Sequence, residues 1–207
     1  MFRVAVFLIA LFGLLSAVVG TAGYWLVSDD SGKYLAALDH MTANQYNVIV
    51  SNDYGKTWNS SSASSMHVWI GLATDGSGKK LALSALPDSS GTNYLPYISK
   101  DEGATWVEGQ VNGGGTPNCY KIASDGTGTN LVVGTFNDIY ASTDGGTTWD
   151  AQNVASYDYG TDIAYSADGS TVVYSSYQKI SMHRAGSFWG FGDSPAASWI
   201  SLSSSIK

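Results

Sequence analysis

The sequence predicts an all-β fold: a small β-propeller of about four four-stranded blades, preceded by an N-terminal hydrophobic helix. Two repeated phrases and one absence predict it. The pattern S-x-D-x-G-x-T-W occurs three times, at residues 51–58, 99–106 and 142–149. Its period, about forty-five residues, is that of repeat and propeller architectures. A second phrase, Asp-Gly or a near variant followed by an apolar run, occurs at residues 28–35, 74–81 and 124–131, with a shortened copy at 167–172. Asp-Gly before an apolar run is a hairpin signal. No stretch beyond the first residues shows helical periodicity.

Each box carries the chemistry of a turn. The carboxylates of Asp53, Asp101 and Asp144 can accept backbone N–H groups, and Ser51, Ser99 and Ser142 can do so more weakly. Gly55, Gly103 and Gly146 stand where the chain needs a positive φ. The β-branched Thr57, Thr105 and Thr148 suit re-entry into a strand. Trp58, Trp106 and Trp149 then supply a large apolar surface that fixes the turn to a sheet. One repeat therefore reads as a strand ending in Asp-Gly, a second apolar strand, a third leading into the box, and a fourth beginning at the box Trp. Four antiparallel strands make one blade. Four units are countable. The fourth box, at 180–189, lacks the Ser-x-Asp core, and 198–202 reads as a last outer strand.

These boxes resemble the Asp-box, or BNR, repeat of sialidases, sortilin-type receptor ectodomains, xyloglucan-cleaving glycosidases and a photosystem II assembly factor. The resemblance covers most of the chain after residue 24. It implies a propeller with the boxes between the outer two strands of each blade, away from the ligand-binding face. The box aspartates are accordingly structural, and one Asp per turn is too sparse for a calcium loop. Closure of a ring by four blades, an open arc, and completion by a partner chain all stay open.

Residues 1–23 hold one charge, Arg3, before an apolar run and a small-residue segment at Gly20, Thr21 and Ala22. This reads as a signal peptide cleaved near Ala22, or as an uncleaved membrane anchor. Either places the repeat domain, 24–207, outside the cytosol, secreted or membrane-anchored. The formal charge is −7 with no basic stripe, which speaks against a nucleic-acid partner. Cys119 is the sole cysteine and reads as a buried thiol. Asn59, in Asn59-Ser60-Ser61, is a glycosylation candidate.

A sialidase site is excluded by inventory. The resemblance implies three arginines gripping a carboxylate, whereas this chain has Arg3 and Arg184 only. Its glutamates, Glu102 and Glu108, both read as peripheral. No two of the remaining carboxylates are paired by spacing, as a glycosidase requires. His40, His67 and His183 are too scattered to suggest a metal, and no cofactor is expected.

Binding is the better expectation. Links between successive blades gather on one face, and these supply the candidates His67, Asn118, Tyr157, Asp158, Tyr159 and Asp162. Tyr beside Asp suits stacking on a sugar ring or a protein contact. The expected function is a non-enzymatic binding or scaffold module for a protein or glycan, with an oligomer as one way to complete or stack the propeller. The alternatives are a glycoside hydrolase-like enzyme, or a membrane-anchored component of an assembly such as a virion or surface layer.

Overall fold

The computed structural model describes residues 25–42, 45–64, 66–135, 138–153, 160–176, 180–184 and 200–201. The leader, residues 157–159 and the aromatic cluster at 188–191 lie outside these. The described residues are all-β, with no helix.

They form four sheets. The first holds β1 (Trp25–Ser28), β2 (Leu35–Thr42), β3 (Gln45–Ser51) and β4 (Asn59–Ser60). The second holds β5 (Trp69–Thr74), β6 (Leu81–Ala85), β7 (Tyr97–Ser99) and β8 (Val107–Glu108). The third holds β10 (Cys119–Ser124), β11 (Leu131–Thr135), β12 (Ile139–Ser142) and β13 (Thr148–Ala151), with β9 (Gln110–Val111) added parallel to β13. The fourth holds β14 (Gly160–Tyr165), β15 (Thr171–Ser176), β16 (Ile180–Arg184) and β17 (Ile200–Ser201). Within each repeat the strands pair antiparallel in chain order, as the hairpin signals require. The fifth strand of the third sheet was not legible in the repeat.

The sheets stack in series through their first strands. Each seam has its own apolar core. Leu38, Val48, Trp69 and Leu83 fill the first; Ile98, Ile122, Val133 and Trp149 the second; Val132, Ile139, Val172 and Tyr174 the third. Side chains alternate across a strand, so one apolar run serves both neighbouring seams. In β11, Val133 faces the second seam and Val132 the third. Cys119 is fully buried, and burial pushes its thiol up to about 12, so it packs as an inert apolar group.

The three boxes are superposable hydrogen-bond units. The Ser hydroxyl accepts the N–H of the box glycine at 2.8–2.9 Å. The Asp Oδ1 accepts the backbone N–H of the box Thr at 2.9 Å, and Oδ2 accepts its hydroxyl at 2.6–2.7 Å. The Trp Nε1 donates to the glycine carbonyl at 3.0–3.1 Å. Gly55, Gly103 and Gly146 have φ of 76°, 86° and 82°, as expected. The residue before each glycine is left-handed too: Tyr54 at 64°, Glu102 at 60°, Gly145 at 71°. That twist aims its N–H at the Asp-Gly turn of its own sheet, donating to Lys33 O, Lys79 O and Thr129 O respectively. The cost is about 1–2 kcal/mol for a non-glycine residue, offset by a hydrogen bond that ties the two turns of each sheet together.

A ladder then ties sheet to sheet. Asp30 N donates to Gly76 O at 3.1 Å, Gly76 N to Gly126 O at 2.9 Å, and Gly126 N to Ala167 O at 2.8 Å. The register makes Ser166, not Asp168, the fourth counterpart of Asp29, Asp75 and Asp125. Its hydroxyl accepts the Thr171 N–H as those carboxylates accept Tyr34, Lys80 and Asn130.

Several of these carboxylates are held below their usual range. Thr57 hydrogen bonds bring Asp53 to about 2 from 3.8, and Ser166 and Ser170 bring Asp168 to about 2. Asp101 is lowered chiefly by Thr105. A carboxyl whose folded pKa lies below its unfolded value stabilises the fold fully above the unfolded value. It gives that up as pH falls through the folded one. The expected result is a drop in the urea midpoint between pH 3.8 and about 2 from these carboxylates, below an earlier decline that begins under pH 6.5, where burial holds the His67 proton affinity down. In Asp53→Asn/Asp101→Asn that drop is shallower, whereas an unchanged profile refutes the role given to these turns.

Candidate functional site

Asp-Gly turns occupy one end of the four sheets, beside the boxes of the first three. Among the described residues, the other end holds the links that lead into β5 and β10 and the loop joining β6 to β7. His67 stands there, just before β5, in an aromatic group. Its ring lies 3.9 Å from Tyr94, 5.1 Å from Trp69 and 5.2 Å from Tyr97, centroid to centroid. His67 Nε2 is 3.3 Å from the Tyr97 hydroxyl.

Carboxylates rim the group. Tyr94 OH donates to Asp88 Oδ2 at 2.8 Å. Glu108 Oε1 accepts the Leu95 N–H at 3.1 Å, and Glu108 Oε2 lies 3.4 Å from the Tyr97 hydroxyl. Glu108 was expected at the periphery; its place at the end of β8 instead swings it onto this loop end. Asp88 organises its own loop, accepting from Ser90 N, Thr92 N and Ser90 Oγ. These bonds, the Ser90 hydroxyl foremost, hold it far below the usual carboxylate range. Burial lowers the proton affinity of His67 against the opposing pull of Glu108 and Asp88. Burial, then Glu108, pushes Tyr97 up to about 12. A Tyr beside a Glu is the nucleophile pair that the sialidase resemblance implies. Here the phenol is harder to ionise than free tyrosine, the reverse of an activated nucleophile.

Asn118 and Asp162 stand elsewhere on the same end. Asn118 precedes β10 and donates through Nδ2 to the Tyr120 hydroxyl at 3.2 Å, while its buried Oδ1 has no partner. Asp162 lies in β14, where its Oδ1 accepts the Ile163 N–H at 3.0 Å. Tyr157, Asp158 and Tyr159 lie outside the described residues. Asn59 is exposed at the edge of β4. Ser61, the last residue of its sequon, is buried, donates to Gly103 O at 2.6 Å and accepts from Trp106 Nε1 at 2.8 Å.

The register reveals a further relation. Trp25 pairs with Leu38, Gly71 with Ser84, Lys121 with Gly134 and Asp162 with Ser175. Each partner stands three residues after the first apolar residue that follows its turn, namely Leu35, Leu81, Leu131 and Val172. Trp25, Gly71, Lys121 and Asp162 are thus the same position of four successive first strands. In the last three strands that position sits at a register shift. Lys121 Nζ lies 4.1 Å from the Trp25 ring centroid, reaching from the third sheet to the first past Gly71 of the second. Aligning the repeats on the residue before Leu26, Leu72, Ile122 and Ile163 would have exposed this position in the sequence.

Among the described residues, no group of three His, Cys, Asp or Glu side chains is placed to hold a metal ion. No protein-family model matches the sequence, and no curated protein matches it. Solved structures do. A GH74 enzyme of Niastella koreensis is similar over 87% of this chain and 30% of its own, with 18% identity and a TM-score of 0.64. YCF48 bound to D1 peptide is similar over 81% of this chain and 53% of its own, at 16% identity and 0.57. A chain of a nidogen/laminin complex is similar over 77% and 59%, at 15% and 0.59. The chain spans less than two thirds of each. These likenesses show the fold: the described residues are arranged as in a β-propeller.

Proposed function

We propose that the chain is an extracytoplasmic, non-enzymatic binding module, an Asp-box propeller of four blades that engages a protein or glycan through its link-loop end. One observation carries this reading: the His67 and Tyr94 rings in tilted contact, centroids 3.9 Å apart, flanked by the carboxylates of Asp88 and Glu108. A partly exposed aromatic pair with acceptors at its edge suits stacking on a sugar ring or anchoring a protein contact. Two of the similar structures are themselves complexes, one with a peptide and one with a protein, which supports a binding role over turnover. The high proton affinity of Tyr97 supports the same choice. Placement outside the cytosol rests on the apolar leader and the resemblance of the boxes.

The test is a glycan array and a displayed-peptide selection run in parallel on the wild type and on His67→Ala/Tyr94→Ala. Ligands enriched by the wild type should bind the variant at least about tenfold more weakly, a loss of about 1.4 kcal/mol. Equal binding by both proteins, or no enrichment from either library, removes the proposal. Hydrolysis of a glycoside that is lost in Glu108→Gln would replace it with the enzymatic alternative.

A further inference from the structure

The first strands repeat an apolar scaffold and differ in chemistry at the place before it. The residue after it is Leu26, Leu72, Ile122 or Ile163, apolar in all four repeats. The position itself carries an indole, no side chain, an ammonium and a carboxylate: Trp25, Gly71, Lys121 and Asp162. A position that served packing alone would repeat like its neighbour. Four different chemistries at one level of the inner strands are those of a binding surface.

The geometry is specific. Lys121 is partly buried with its ammonium over the Trp25 ring, and no acceptor among the described residues takes its N–H donors. Desolvation disfavours its charge, and only the field of Asp162 opposes that. A cation held this way gains most from an anion that supplies oxygen acceptors. Asp162 is exposed and acts as an acceptor only. At Gly71 the level is filled by its own neighbours, so only a residue without a side chain fits. A Cβ there would collide with Ser84 Oγ and come within 2.9 Å of Tyr120 O.

A ligand for this surface presents one anionic group, several hydroxyl donors and a flat apolar face. A carboxylate alone leaves Asp162 unmatched. An acidic peptide brings charge toward Asp162 with few donors to offset it. We propose that Trp25, Lys121 and Asp162 bind an acidic pyranose of the hexuronate class. Its carboxylate meets Lys121, its hydroxyls donate to Asp162, and its ring lies beside the indole. This site is distinct from the His67–Tyr94 pair, and the two stand or fall separately.

The experiment is an NMR titration of the full chain with glucuronate, glucose and acetate, following the Trp25 indole N–H. Glucuronate should shift that signal at least about tenfold more tightly than glucose or acetate. Lys121→Gln should abolish the preference for glucuronate over glucose. Asp162→Asn should weaken both sugars while leaving acetate unchanged. The expected spectrum of both variants away from Trp25 is that of the wild type, which separates a lost site from a lost fold. Equal affinity for glucose overturns the role of Lys121, and equal affinity for acetate overturns the pyranose. An unmoved Trp25 signal overturns the site, whatever becomes of His67→Ala/Tyr94→Ala binding.

Discussion

Trp149→Ala should cost about 4 kcal/mol of unfolding free energy, in the range for truncating a buried aromatic. The indole is fully buried in the seam between second and third sheets, among Ala73, Ile98, Ile122 and Val133. Its Nε1 donates to Gly146 O at 3.0 Å, so truncation also strips a hydrogen bond from the box turn. β9 lies along it, with Val111 opposite Trp149. The seam cannot collapse into the space, because the Gly76–Gly126 rung fixes sheet spacing at the turn end. Urea unfolding of Trp149→Ala and Trp58→Ala is the measurement. Trp58 is only half-buried and should cost clearly less. Equal losses would show that burial does not rank the boxes.

Gly109→Ala should destabilise the fold by about 1–3 kcal/mol. Gly109 lies three residues after Trp106, as Ser61 lies three after Trp58. Both straps cross the next box. Ser61 Oγ donates to Gly103 O and Ser62 Oγ to Ala104 O, at 2.6 and 2.7 Å. At the third box the strap comes closer and bonds by backbone: Gln110 N to Thr147 O and Asn112 N to Trp149 O, both 3.0 Å. A Cβ on Gly109 would meet Trp149 Nε1 and stand 2.7 Å from Gly146 O. A carbonyl within a turn cannot swing aside as a side chain can, so the strap must lift. Hydrogen exchange should show Gln110 and Asn112 amides losing protection in Gly109→Ala. Gly109→Ser should recover part of the stability, since its hydroxyl can take the part that Ser61 plays. Full protection in Gly109→Ala would refute the close approach.

The straps explain why a box that looks purely local in sequence matters to the whole. Ser, Asp, Gly and Thr close the turn within eight residues. The Trp and the glycine carbonyl then face the link that arrives from the preceding repeat. The spacing of Ser61 and Gly109 after their tryptophans was available in the chain, but their roles look unlike. One offers a hydroxyl and the other the absence of a side chain, and only the common carbonyl target unites them.

The sequence by itself determined the strand order of each repeat, the turn chemistry of the boxes and the positive φ of their glycines. Those properties depend on residues a few places apart, whose hydrogen bonds and steric limits are local. Tertiary structure alone decided that Glu108 joins His67 and Tyr97, that β9 crosses to the third sheet, and that Lys121 lies over Trp25. Those contacts join residues of different repeats or loops. They depend on how one sheet is seated against the next, which is set by the volumes in each seam and by the rungs from Asp30 to Ala167. A linear pattern carries neither.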